Sequence, residues 1–490
     1  MHTTELPHAF PPNIKEAQPK GLYLLFFTEL WERFGFYTLQ TIIILYMTKA
    51  LLMQDAEANL LYAAFSALLY LTPTIGGYLA DRHLGFQRAI SIGGILFISA
   101  YLLCALSNER FFFLGLGLLI VANGFFKPTV SSIVGELYKE NDARREGGFT
   151  IFYMGINVGA LIPPLIAGGL VAKYGWHAGF LLAAFGMLLG QLTFQFGRKR
   201  LGEAGLHPKY QTKTKLGFLF YSLLCLGIVV CVGLCQIAFH YPKMTAYLIE
   251  IAGVVIVVIV LLQLLKLPLK ERKKMFAALL LIIISIAFWS LYNQAFTSLM
   301  LFADRNMEKQ FLGMPFTAEA TQFFNPFFII ALSPLLSRLW IKMDKHTLNP
   351  SIQLKFFFGV FFMSAGFFLL AFGATYFSHL GMTAPGWLGA SYLLQTMGEL
   401  LISPIGLAMI TVLCPKKMVG MMMGVWFFAQ AMSFTIGGFL ANIAAVPQTL
   451  SVEASLAIYS HAFTTYGIIA LVMSVFSLAL LPLIYKMTRE

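Results

Sequence analysis

The sequence predicts an all-α, polytopic membrane protein of fourteen spanning helices, built as two six-helix bundles plus an inserted two-helix hairpin. Three observations lead there. Of 490 residues, 58% are hydrophobic and only 11% charged, against about one quarter charged in an ordinary soluble domain. That leaves too little polar surface to cover a core of this size, and the apolar surplus must face lipid. Fourteen apolar runs have spanning length, and the basic residues between them alternate strongly in density.

The runs lie at about 21–50, 59–80, 88–107, 111–136, 147–171, 176–197, 215–240, 244–267, 275–302, 318–341, 352–376, 386–413, 418–446 and 460–485. Spanning segments are read as helices because a helix satisfies its backbone groups internally; the short alternating strands of a barrel do not appear. Residues 1–20 form a polar tail, and no cleavable leader is expected because the first apolar run is long enough to span. Residues 21–197 form the first bundle, 198–274 the hairpin with its basic linkers, and 275–486 the second bundle.

With the N-terminus inside, the inside loops carry 26 Lys and Arg and the outside loops 6. That asymmetry predicts both termini in the cytoplasm. It also accounts for the net charge of +12 without a nucleic-acid partner. Cys104, Cys225, Cys231, Cys235 and Cys414 all fall in apolar runs without metal or redox spacing and are expected to be buried free thiols.

The informative residues are those lipid rejects, since a charge at mid-membrane costs at least about 2.5–3.5 kcal/mol. Glu29, Glu32 and Arg33 share one face of the first span with Tyr37 and Gln40. In the fourth span Asn123, Lys127 and Ser131 recur at spacing four, and Lys127 is the expected partner of the first-span carboxylates. Further polar stripes contain Tyr153 and Asn157; Gln322 and Asn325; Tyr392, Gln395, Thr396, Glu399 and Ser403; and Trp426 and Gln430. Stripes in both halves point to a shared wet cavity. Asp304-Arg305-Asn306, in an outside loop, reads as a solvated charge cluster. No Walker loop, zincin helix, nucleophile elbow or Cys/His cluster is present, so neither an enzyme nor a metal or other cofactor is expected.

Gly76-Gly77-Tyr78-Leu79-Ala80-Asp81-Arg82-His83-Leu84-Gly85-Phe86-Gln87-Arg88 resembles the loop between helices two and three of the major facilitator superfamily, whose plan is two six-helix halves. Thr28-Glu29-Leu30-Trp31-Glu32-Arg33-Phe34-Gly35-Phe36-Tyr37 resembles the E-x-x-E-R-F-x-Y-Y signature of the proton-coupled oligopeptide transporter (POT) family, with Phe36 in place of the first Tyr. Gly124-Phe125-Phe126-Lys127-Pro128, Phe152-Tyr153-Met154-Gly155-Ile156-Asn157-Val158-Gly159, Asn325-Pro326 and Gly398-Glu399-Leu400-Leu401-Ile402-Ser403-Pro404 resemble further family segments. The hairpin is similar to that of bacterial members.

The resemblance implies a proton-coupled symporter importing di- and tripeptides across the inner membrane of a bacterium, acting as a monomer, with small peptides, protons and the lipid bilayer as its partners. It implies proton coupling by Glu29, Glu32, Arg33 and Lys127, and a peptide site of Tyr37, Tyr70, Lys127, Asn157, Asn325, Glu399 and Trp426. Two positions depart from the pattern. Gln40 stands where the family usually has Arg, and Asn293, in Phe288-Trp289-Ser290-Leu291-Tyr292-Asn293-Gln294, where it usually has Glu. These two are expected to face each other at the outer gate. A transporter of another solute, such as an amino acid or an organic anion, stays open as the alternative.

Overall fold

The computed structural model describes residues 17–489, apart from 107, 140, 141, 143, 207–216 and 346–349. The expected tail up to residue 16, much of the linker 198–215 and part of the basic loop at 338–355 lie outside the described residues. Thirteen helical stretches among those described are long and apolar enough to cross a membrane. Helix α1 (Lys20–Leu45) makes the fourteenth; Lys20, Glu29, Glu32 and Arg33 within it lower its apolarity.

The first half continues with α2 (Asp55–Leu79), α3 (Phe86–Cys104), α4 (Glu109–Glu136), α5 (Arg145–Leu161), α6 (Pro163–Tyr174) and α7 (Trp176–Gly197). α5 and α6 form one span broken just before Pro163, which cannot donate into the ladder. The hairpin is α8 (Phe218–His240) and α9 (Pro242–Leu264). The second half holds α10 (Leu269–Tyr292), α11 (Ser298–Asn306), α12 (Phe324–Lys345), α13 (Ile352–Tyr376), α14 (Pro385–Leu413), α15 (Val419–Ala441) and α16 (Val452–Arg489), with α10 and α11 in one stretch. A small antiparallel pair, β1 (Gln310–Phe311) and β2 (Met314–Pro315), follows α11.

Local signals explain the turns. Gly85 takes φ +77° between the end of the second span and α3, a conformation glycine adopts without strain. Asn108 caps α4 by accepting from Arg110 N at 3.0 Å, and Ser351 caps α13 by accepting from Leu354 N at 3.3 Å. Pro242 and Pro385 open α9 and α14, where a missing N–H costs nothing.

The chain divides into two compact units. The first comprises Met1–Leu39, Thr72–Pro163 and Phe180–Val232; the second comprises Gln40–Leu71, Pro164–Gly179 and Gly233–Glu490. In the first unit α3 packs along α4, and Phe220, Leu224, Ile228, Cys231 and Val232 of α8 lie on a core of Ala80, Leu84, Ala89, Val121 and Phe125. In the second unit α13 packs against α14 and α16, and α9 packs on α15. The thiols differ in part from expectation. All five are free, but Cys225 is exposed and Cys231 half-buried, because an apolar stretch can face lipid instead of protein.

Candidate functional site

In the first unit, α1 carries Glu29, Glu32 and Arg33, all nearly inaccessible. The Arg33 guanidinium clamps both acids. Its Nη2 donates to Glu32 Oε1 at 2.6 Å, its Nε to Glu32 Oε2, and its Nε also lies 3.3 Å from Glu29 Oε1. The Arg33 guanidinium sits 4.8 Å from the centre of the Phe36 ring, a cation–π contact. Lys127 of α4 is half-buried and within electrostatic reach of Glu29, as expected from the sequence. Two carboxylates against two cations make a charge-balanced cluster, and one added proton unbalances it.

Glycines position this cluster. A Cβ on Gly159 of α5 would strike Leu30 O and lie 2.9 Å from Arg33 Cβ; one on Gly155 would lie 3.0 Å from Phe26 O. From α7, Gly186 presses on the Phe34 ring and Gly190 on Thr28 O. The small-residue faces of α5 and α7 therefore hold α1 at backbone contact. Asn157, between the two α5 glycines, is buried and donates to Tyr153 O at 3.0 Å. Tyr37 is half-buried and within electrostatic reach of Arg33.

One neighbour was missed by the sequence reading. Tyr101 of α3 is fully buried beside Gly35, within electrostatic reach of Glu32 and Arg33. Its hydroxyl has no hydrogen-bond partner among the described residues. A lone tyrosine about seventy positions from its partners carries no spacing signal.

In the second unit the centre is Glu399 of α14. Asn325 Nδ2 donates to Glu399 Oε2 at 2.7 Å and to Thr396 Oγ1 at 3.1 Å, and Tyr292 of α10 also hydrogen-bonds the carboxylate. Gln322, on the same stripe, donates to Ala295 O and to Tyr392 Oη. Trp426 is buried against Gly406, where any side chain would collide with the indole. Tyr70 is half-buried, its ring centre 5.3 Å from that of Phe434.

Gln40 and Asn293 are both buried in this unit. Gln40 Oε1 accepts from Tyr62 Oη at 2.5 Å, and Asn293 Nδ2 lies 3.5 Å from Ser433 Oγ. Their hydrogen bonds thus go to Tyr62 and Ser433. The charges at this end of the unit lie elsewhere. Arg305 grips Asp55, at the start of α2, with both terminal nitrogens, at 2.5 and 2.7 Å, and also reaches Tyr459 Oη at 3.1 Å. Val446 N donates to the same carboxylate at 3.0 Å, and Lys49 pairs with Asp304 at 2.6 Å. This corrects the reading of Asp304-Arg305-Asn306 as merely solvated. Asp55 is buried, and its partner is 250 positions away, beyond what local spacing can reveal.

In the first unit, Arg144 bonds Asp142 through its backbone N and its guanidinium, which holds that carboxyl down at about 2. Arg144 also donates to Ala17 O, tying down the segment that leads into α1.

Comparison with known proteins decides the family. The POT family model matches residues 87–460. This chain belongs to the POT family. The dipeptide and tripeptide permease A of Yersinia pestis is 37% identical over 475 residues, 96% of this chain and 94% of that one. A crystal structure of the peptide transporter POT in complex with sulfate superposes with a TM-score of 0.84 at 33% identity, covering 98% of each chain. The tetrameric PepTSo2 superposes equally, at 32% identity over 96% of this chain and 99% of that one. This POT member is a multi-pass membrane protein with the major facilitator fold of those peptide transporters.

Proposed function

We propose that this POT member is a proton-coupled symporter importing di- and tripeptides by alternating access, with both termini in the cytoplasm and each chain working as a unit. The observation that carries the reading is the buried Arg33 clamp on Glu32 and Glu29, with Lys127 in reach of Glu29. A fixed array of two acids and two cations has no structural need for its full charge in a membrane. It suits a group that gains and loses one proton per cycle. A proton taken up by Glu32 or Glu29 leaves positive charge on Lys127 uncancelled. A peptide carboxylate then takes the ammonium, so proton and substrate favour the same state.

The substrate's amino end goes to Glu399, with Asn325 and Asn157 as amide partners. A carboxylate and amide oxygens suit the three donors of an ammonium. Tyr37, Tyr70 and Trp426 supply walls that accept varied side chains. Residues 21–197 and 275–486 act as the two moving bundles around 198–274. On this orientation the Asp55–Arg305 pair closes the outer end, and Gln40 and Asn293 serve that closure as neutral hydrogen-bonding groups.

One observation favours the second reading, transport of another solute: Gln40 is satisfied by Tyr62 and brings no cation to a carboxylate. Uptake of a dipeptide panel into proteoliposomes under an inward proton gradient separates the two. Gradient-driven accumulation of dialanine is expected. Accumulation of free amino acids or organic anions in its place would overturn the peptide reading.

A further inference from the structure

The transport machinery leaves one fully buried polar group unused, the hydroxyl of Tyr101 on α3. It has no hydrogen-bond partner among the described residues. The ring stacks on Phe97, with centres 6.0 Å apart. Its edge and hydroxyl face α1: a Cβ built on Gly35 would lie 3.4 Å from Tyr101 Cε2 and 3.6 Å from its Oη. Gly35 is three positions from Glu32, so the hydroxyl meets the face of α1 that carries this acid. Tyr101 is within electrostatic reach of Glu32 and Arg33.

A buried hydroxyl without a partner raises the free energy of the state that contains it. In this state Arg33 takes both Glu32 oxygens, Oε1 through Nη2 at 2.6 Å and Oε2 through Nε. A carboxylate only accepts, and the guanidinium competes for it with a full charge. A protonated carboxyl differs on both counts. It loses the charge that holds Arg33, and it presents one O–H donor beside a carbonyl acceptor. A phenol hydroxyl both donates and accepts, so it suits that neutral form. The other ionisable groups around the pair are Glu29 and Tyr37 on α1, Cys104 on α3 and Lys127 on α4. None of these hydrogen-bonds the Tyr101 hydroxyl, and α5 and α7 meet α1 here through glycines.

Resting on the symport reading above, we propose that Tyr101 is a positioning residue for the transported proton: its hydroxyl pairs with the Glu32 carboxyl once that carboxyl is protonated. The pairing satisfies, in the proton-loaded state, a group left unpaired in the proton-free one, and so favours loading. Tyr101 keeps its own proton throughout; the transported proton arrives and leaves on Glu32. Arg33 is not stranded when Glu32 turns away, because Glu29 Oε1 already lies 3.3 Å from its Nε.

Thermal stability of the purified full chain tests the contact without relying on transport. At alkaline pH, Tyr101→Phe is expected to match or exceed the wild type, because it removes only an unpaired hydroxyl. In Glu32→Gln, whose neutral amide stands in for the protonated carboxyl, the same change should lower the midpoint by about 1–2 °C, the net worth of one hydrogen bond. Loss of stability or of folding on Tyr101→Phe alone, or equal effects in both backgrounds, overturns the proposal. Gradient-driven dialanine uptake into proteoliposomes tests the consequence. Tyr101→Phe should move the pH of half-maximal uptake down by about 0.4–1 unit. A lower maximal rate at an unmoved pH means a packing role and overturns the proposal. If the wild type shows no proton-driven uptake, the symport reading fails, and the stability comparison alone decides the contact.

Discussion

Asp55→Asn is the sharpest test of the proposal that the Asp55–Arg305 pair closes the outer end. The Asp55 side chain is 1% exposed and accepts from both terminal nitrogens of Arg305 and from Val446 N. The substitution keeps the shape and leaves the guanidinium without its counter-charge. Removing one partner of a buried pair costs about 3–5 kcal/mol. Arg305 is 24% exposed and keeps Tyr459, so water recovers part of that, leaving about 2 kcal/mol. An equilibrium then shifts roughly thirtyfold toward the outer-open state. Spin labels at Glu57 and Thr449, both exposed near this end, allow the distance distribution to be read by double electron–electron resonance. The longer-distance population should grow by about that factor. Adding Arg305→Gln should reverse much of the shift, because no charge is then left unpaired. Unchanged distances in Asp55→Asn would refute the latch, and failure of the double variant to recover would refute its electrostatic basis.

Other tests address the remaining groups. Glu32→Gln should abolish gradient-driven accumulation while leaving substrate exchange measurable in counterflow; normal accumulation would remove the pair from proton coupling. Glu399→Gln should weaken free dipeptides by about 10- to 100-fold in competition binding, the worth of a hydrogen bond to a charge, and N-acetylated dipeptides should compete poorly in the wild type. Gln40→Arg and Asn293→Glu should each impair transport, and their combination should recover if the two act as a pair; a double no better than the product of the singles shows that Tyr62 and Ser433 are their working partners. Asp142 has its folded value depressed to about 2 from 3.8, so its stabilising contribution is complete above pH 3.8 and lost as pH falls toward 2. The difference in thermal stability between wild type and Asp142→Asn should therefore hold constant from pH 5 to 8, and any pH dependence of that difference in this range argues against the pairing.

Much of the fold was legible because lipid enforces it. Apolar run length located the spans, and the broken span at Pro163 still read as one run. The Glu29–Glu32–Arg33 cluster was legible because charges in an apolar run have few alternatives, and helical spacing brings them together. Asn325 and Glu399 came from two stripes with the right chemistry, and the structure joins them at 2.7 Å. What escaped was contact at long range. Asp55 is an ordinary helix-starting acid in the sequence, Arg305 an ordinary loop cation, and Tyr101 one aromatic among many. Tyr292 likewise sat unmarked beside Asn293 although its hydroxyl reaches Glu399.

The backbone contact between α1 and its two glycine-faced neighbours bears on how this chain can be recombined with its relatives. Where side chains separate two helices, a mismatch can be absorbed by changing rotamers. Gly155, Gly159, Gly186 and Gly190 leave no such layer. A chimaera that takes α1 from one parent and α5 or α7 from another must inherit matching glycine registers, or its acids and its Asn157 will be set at different depths. Crossovers that keep α1, α5 and α7 from a single parent avoid that mismatch. Exchanges confined to the hairpin leave this inheritance untouched.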